Sequence, residues 1–99
     1  NRLPQSKLEI IKPTVIRGEI KQVSFVSATM WVIETDDGHL YMPLGNKSQE
    51  LISLGEGTKV KIEGYITKVE IVIPVAGEFH KSYQEAIKVM NYSLIKKEV

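Results

Sequence analysis

Two adjacent carboxylates, Asp36 and Asp37, lie between two apolar stretches and are followed by His39. Paired carboxylates beside an imidazole could bind a metal ion or perform general acid–base chemistry. A calcium loop needs further oxygen ligands at fixed offsets and a closing glutamate, and DDGHLYMPLGNK lacks them. Asp-Gly between apolar residues is instead typical of a hairpin turn, because glycine adopts a positive φ and aspartate hydrogen-bonds its own backbone. We therefore predict a turn here, no metal site, and His39 at an exposed strand position.

Other catalytic patterns are equally sparse. The chain has no cysteine, which excludes disulfides, thiolate zinc sites and cysteine nucleophiles. No nucleophile elbow is present, and neither histidine has an obvious orienting partner. The segment GEGTKV lacks the third glycine of a phosphate loop and leads into a predicted strand, so no helix N-terminus is available to hold an anion. The sequence predicts a protein that is not an enzyme and has no cofactor.

Composition limits the partners. The 99 residues carry 13 basic and 12 acidic side chains, a net charge of +1, so nucleic acid binding would have to be local. The longest uncharged apolar run, residues 71–77, is far shorter than the roughly 20 residues that span a bilayer. The chain starts at Asn1 and not at Met, and we expect that an upstream segment was removed by processing or by design.

The elements that position these residues follow from the hydrophobic pattern. Residues 1–13, with two prolines, are predicted to be an N-terminal arm, and residues 14–99 the folded domain. Period-two alternation predicts strands from Thr14, over 29–35, from His39 to Met42, over 58–71 and over 85–95. Residues 69–84 are predicted to be a long connection, as a protruding arm or loose hairpin. Gly18 and Gly64 interrupt two strands at similar places, which indicates bending and a close backbone approach.

One short helix is predicted between the third and fourth strands, with Asn46 as its cap, Gln49 in a capping-box position and Gly55 at its end. Trp31 shares strand parity with Ile33 and is therefore predicted to face inward, whereas a one-residue bulge would expose it. The predicted core consists of Ile16, Ile20, Ile33, Leu40, Met42, Leu51, Val60, Ile62, Ile87 and Val89.

This order of elements, with VIRGEI early, a strand ending in TDDG and GTKVKIEGYI after the helix, resembles the OB-fold, a five-stranded Greek-key barrel. The resemblance spans roughly residues 14–96, and the stretch from Gly57 to Gly64 is its most characteristic part. The segment VIETDDGHLY is also similar to segments of small exported OB-like domains of unknown role. The resemblance implies an all-β fold with one short helix.

OB-folds commonly bind single-stranded nucleic acid or oligosaccharide across strands two and three and the flanking loops. With Leu40 and Met42 inward, Val32, Glu34, His39 and Tyr41 would face outward. The resemblance therefore implies a nucleic-acid-binding face with little sequence specificity. It would consist of Arg17, Lys21, Phe25, His39, Tyr41, Phe79, His80, Lys81 and Tyr83.

Two further interpretations stay open. The alternating charges, Glu19, Glu34 and Glu78 among them, are also expected of cross-strand pairs on an exposed sheet. Alternatively, the apolar run at residues 71–83 contacts a protein partner or a second copy of the chain, or folds back over the barrel as an edge strand. Nucleic acid binding would imply a cytoplasmic protein, whereas a secretion signal before Asn1 would imply an exported or cell-envelope interaction module.

Overall fold

The computed structural model, which describes residues 12–25 and 28–95, is an all-β barrel. Its elements are β1 (Thr14–Phe25), β2 (Ala28–Thr35), β3 (Leu40–Leu44), α1 (Ser48–Ile52), β4 (Lys59–Val75) and β5 (Glu78–Leu94). The barrel closes in the order β1-β2-β3-β5-β4, with β4 returning to β1. The β3–β5 pair is parallel and the other four pairs are antiparallel. The predicted five-stranded barrel with one helix between β3 and β4 is confirmed, and all but two residues of the predicted N-terminal arm lie outside the described residues.

The barrel core is built from alternate residues of its strands and one helix residue. Ile16 packs against this core, and so does Trp31, whose predicted inward orientation is confirmed. No register shift occurs between β1 and β2, so the bulge that would have exposed Trp31 is absent from this described pair. The fully or almost fully buried members are Ile20, Ile33, Leu51, Val60, Ile62, Ile87 and Val89.

The predicted orientation of β3 is wrong. Ile33 pairs with Tyr41, so Tyr41 shares the inner face and packs against the core, while Leu40 pairs with Glu34 and is only half-buried. The cause is the length of the turn. Thr35 N–H donates to the His39 carbonyl at 2.8 Å across a three-residue loop, and a loop one residue shorter would have reversed every side chain of β3. Met42, also predicted inward, is likewise half-buried and outside the core.

The outer wall of β2 also departs from expectation. Val32 pairs with Lys21 and points away from Ile33, as predicted, yet its side chain is fully buried and separate from the core cluster. Val32 therefore offers no surface to a ligand, and the prediction that it belongs to an exposed face is wrong.

Close backbone approach explains both glycines within strands. A methyl group on Gly18 would lie 2.5 Å from the Glu34 carbonyl oxygen, and one on Gly64 would overlap the carbonyl oxygen of Lys88. Gly64 also sits at the register shift that interrupts the β4–β5 ladder after Glu63. A bulge bends a strand and increases its twist, which is how a short sheet closes into a barrel.

The helix starts differently from the prediction. Lys47 occupies the N-cap position and makes no side-chain capping bond, so Asn46 is not the cap. Ser48 instead donates its hydroxyl to the Gly45 carbonyl at 2.7 Å, and Leu51 is the helix residue that enters the core. Gly55 lies beyond the end of the helix with a φ of 98°, in the left-handed region that favours glycine.

Residues 68–85 form a regular two-stranded hairpin that we call the ribbon. Of the two forms predicted for the connection at residues 69–84, it is the hairpin. β1 pairs with β4 only as far as Gly64, and β3 pairs with β5 only from Ala86. Within residues 12–25 and 28–95, the ribbon strands therefore pair only with each other. Ala76 and Gly77 make the turn, with φ of 51° and 81°, which matches the twist of the flanking strands. Pro74 pairs with Phe79 one step from the turn.

Candidate binding surfaces on the barrel wall and the ribbon

The outer wall of β1 and β2 carries a tight ion pair. Lys21 donates from its ammonium to the Glu34 carboxylate, and both side chains are more than one-third exposed. This hydrogen bond, followed by the charges of Glu34, Glu19 and Glu56, raises the pKa of Lys21. Lys21 was predicted to meet a phosphate. It is surrounded by carboxylates, which would repel one.

Asp37 stabilises the β2–β3 turn. Its carboxylate accepts a hydrogen bond from the Thr35 hydroxyl, and this bond, followed by the charge of His39, lowers the pKa of Asp37. The Thr35 hydroxyl also accepts the His39 backbone N–H at 3.1 Å. Gly38 completes the turn with a φ of 92°. The predicted structural role of this stretch is confirmed.

His39 lies between two acidic groups at the mouth of the barrel. Its ring nitrogens lie 3.7 Å from the Asp37 carboxylate and 3.6 Å from that of Glu85, at the base of the ribbon. The ring stacks on Tyr41 with centroids 6.1 Å apart. Burial, followed by the charges of Glu85 and Asp37, raises the pKa of Tyr41. Tyr41 is thus a wall residue under His39, and its predicted outward orientation is wrong.

Arg17 is exposed beside shallow clefts with acidic linings. One cleft, of 360 Å³, is lined by Arg17 with Asp36 and Asp37. The charged residues that line a second cleft, of 390 Å³, are Arg17, Lys59, Glu19, Glu34 and Asp36. Carboxylates outnumber cations by two to one in the first cleft and by three to two in the second, so neither surface favours a phosphate backbone.

Among the described side chains, the most exposed aromatic ones lie on the ribbon. Ile66 pairs with the core residue Ile87, and side chains alternate faces along a strand, so every second pair beyond it continues the inner face of the barrel sheet. We call this surface the ribbon inner face. It consists of the pairs Lys68–Glu85, Glu70–Tyr83, Val72–Lys81 and Pro74–Phe79.

Large apolar side chains on this face are turned to solvent. Phe79 is 77% exposed, Tyr83 66% and Val72 51%. Lys81 lies between the two aromatic residues on the same strand, and its ammonium is 3.9 Å from the Glu70 carboxylate across the ribbon. The ribbon inner face therefore combines apolar residues with charges of both signs.

The structure divides the predicted site between the barrel and the ribbon. Arg17 and Lys21 lie on the barrel wall, His39 and Tyr41 at its mouth, and Phe79, Lys81 and Tyr83 on the ribbon inner face. His80 lies on the opposite face of the ribbon, 3.7 Å from Glu78, and the side chain of Phe25 is outside the described part of the chain. The sequence prediction included Val72 in the apolar run 71–83 that would contact a partner, but it did not name Glu70, although the alternation in VEIVIPV indicates a strand.

Within residues 12–25 and 28–95, no three histidine or acidic side chains converge as metal ligands would. Over the same residues, no helix is long and apolar enough to cross a membrane. No protein-family model matches the chain, and no curated protein matches it significantly. The protein is a closed five-stranded β-barrel that carries a protruding β-ribbon, and this barrel is compatible with an OB-like fold.

Proposed function

We propose that this chain is a non-catalytic binding module in which an OB-like barrel supports a ribbon that docks onto a protein. The observation that carries the proposal is the exposure of Phe79, Tyr83 and Val72 on the ribbon inner face. Isolated two-stranded hairpins are marginally stable in water, and contiguous exposed apolar residues often mark interaction sites. A partner that covers this face would bury the aromatic residues and, by doing so, would also stabilise the ribbon.

Charge supports a protein partner over nucleic acid. The ribbon carries three carboxylates, Glu70, Glu78 and Glu85, against two lysines. On the barrel wall, the Lys21 ammonium is already bound to Glu34. Affinity for nucleic acid depends on cations that are available to replace counterions along the phosphates.

Photo-crosslinking tests the docking face directly. A photoreactive phenylalanine at position 79 reports on the ribbon inner face, and the same group at Ser82 reports on the other face of the same strand. We expect position 79 to crosslink one defined protein, identified by mass spectrometry, and position 82 to crosslink much less. Binding of the purified pair should then be lost in Phe79→Ser. Equal crosslinking at both positions, or none, would refute the proposal.

A second candidate is the single-stranded nucleic acid binding implied by the OB-fold resemblance. It is favoured by one arrangement, Phe79, Lys81 and Tyr83 in alternate positions of one face, because bases stack on aromatic rings and lysine meets phosphate. Fluorescence anisotropy with labelled single-stranded DNA and RNA tests it. The candidate requires saturable binding that falls with salt and is lost in Lys81→Ala but kept in Lys61→Ala. No binding at low salt would eliminate it.

A further inference from the structure

We infer that the protein docked on the ribbon inner face is a second copy of this chain, related to the first by a two-fold axis. This inference rests on the proposed docking function and names its partner. Three features of the ribbon carry it: its balanced charges, the spacing of those charges, and its continuity with the barrel core.

Two charges of the ribbon inner face, Lys81 and Glu70, can each pair with the other in a second copy. This face carries two lysines, Lys68 and Lys81, and two glutamates, Glu70 and Glu85. A surface dedicated to a partner of one charge would be expected to carry the opposite sign, whereas a face with equal numbers of both signs can match a copy of itself. In a two-fold contact the same surface patch lies on both copies, so the charges of the patch must be complementary to those of the same patch in the other copy.

The spacing of the charges fits that symmetry. We place the axis across the strands, between the Glu70–Tyr83 pair and the Val72–Lys81 pair. Lys81 of each copy then lies against the Glu70–Tyr83 pair of the other. There it can bind the Glu70 carboxylate and lie over the Tyr83 ring, and each interaction occurs twice. The Pro74–Phe79 pair at the tip of one ribbon lies against Lys68–Glu85 at the base of the other.

The third feature is that the ribbon inner face continues the sheet that lines the barrel core and carries large apolar residues among its charges. Beyond Ile87, which is buried, the inner face of the sheet continues through Ile66, which is 38% exposed, and through the pairs Lys68–Glu85 and Glu70–Tyr83 to Val72 and Phe79. Val72 and Phe79 are residues of the type that a barrel interior buries, and among the strands that the structure describes none lies opposite this part of the sheet. A second ribbon would supply an opposite wall. Since the ribbon inner face has only eight residues per copy, fewer than a typical stable interface, we expect a dissociation constant of about 10–100 µM.

A charge-reversal mixture tests the contact between copies. Lys81→Glu and Glu70→Lys each place like charges together, both within a ribbon and across the axis, so each variant alone should dimerise about tenfold more weakly than the wild type. In an equimolar mixture, the two variants present opposite charges across the axis. Sedimentation velocity between about 5 and 500 µM should therefore show near wild-type association of the mixture only.

The controls separate this inference from the function on which it rests. Lys61→Glu and Glu50→Lys, both exposed and away from the ribbon, should leave association unchanged. Phe79→Ser should be monomeric with an unchanged circular dichroism spectrum. A wild type that stays monomeric at 500 µM, or a mixture that associates no better than its components, overturns the second copy as partner. If position 79 still crosslinks a different protein, the docking function stands without it.

Discussion

Thr35 shows how much one hydroxyl contributes to the β2–β3 turn. It donates to the Asp37 carboxylate and accepts the His39 N–H, so the side chain bridges both ends of the loop. The sequence identified this turn because Asp-Gly has few other uses between two strands. The sequence did not show that the loop has three residues. The loop length determines which face of β3 is buried.

Thr35→Val should raise the pKa of Asp37 towards its ordinary value, because the hydrogen bond that favours the carboxylate is removed. A lowered pKa stabilises the fold above the pKa of the unfolded chain. That contribution is lost as the pH falls through the folded value, so the variant should be less sensitive to acid below pH of about 4. Carboxyl carbon NMR titration measures the shift. Thr29→Val, on an exposed part of β2, should not change the Asp37 midpoint, and an equal change in both variants would contradict this role for Thr35.

Tyr41 should ionise above pH 10.0, because burial beside Glu85 and Asp37 disfavours the phenolate. A raised pKa contributes stability that is present below the unfolded value, and this stability is lost as the pH rises through the folded one. The Cζ resonance of Tyr41 followed between pH of about 9 and 12 gives the midpoint. A midpoint at or below 10.0 would mean that the ring is exposed, as the sequence had suggested.

Gly64→Ala should destabilise the barrel by about 2–3 kcal/mol, because the added methyl group meets the Lys88 carbonyl and backbone must move to admit it. Urea unfolding measures the loss. Thr67→Ala, at an exposed position on the same strand, should cost less than about 1 kcal/mol. Similar losses for the two variants would show that the sheet at the bulge is looser than the structure describes.

At the scale of elements, the ribbon is where the sequence was hardest to interpret. Pro74 and Gly77 argued for a loop, since both residues are depleted in strands. Pairing explains why they are tolerated: Gly77 is in the turn, and Pro74 is in a pair next to the pair that closes it. The strands of the barrel itself were easier to place, because alternation with one buried face is a strong pattern in β1 and in the first part of β4.

Ala76→Asn should stabilise the ribbon by about 0.5–1 kcal/mol, because Ala76 has a φ of 51° and asparagine tolerates that conformation better than alanine. Amide exchange at Ile73 and His80, which pair near the turn, should slow by a few-fold. Ser82→Asn, within the strand, should not slow it. Faster exchange in Ala76→Asn would show that the turn is not the limiting part of the hairpin.

At the scale of the whole molecule, stability should be uneven. The barrel holds the buried cluster, whereas in the described part of the chain the ribbon is held by one ladder and contributes no residue to that cluster. In dilute protein, amides of the ribbon should therefore exchange through local opening, and those of Ile20, Ile33 and Ile62 only through global unfolding. Denaturant dependence of native-state exchange separates the two. A single opening free energy for both parts would contradict this division.

The same division limits what the sequence could tell about function. Lys21 and Glu34 are 13 residues apart, so the sequence does not show that they form an ion pair. Only the register of β1 on β2 brings the lysine to this carboxylate. Phe79 and Tyr83 could be named from their types alone. Their shared face, and its continuity with the barrel interior, depend on a pairing of β4 with β5 that spans both strands.

Pro74 also has a consequence for how this protein can aggregate. Val75 and Glu78 close a two-residue turn and exchange hydrogen bonds, so the backbone groups of the next pair, Pro74 and Phe79, point out to the two edges of the ribbon. Phe79 presents both an N–H and a carbonyl there, whereas Pro74 has no N–H to offer. A fibril that grows by stacking ribbons edge to edge needs both edges. The proline leaves one of them short of a donor, so growth in that direction is disfavoured.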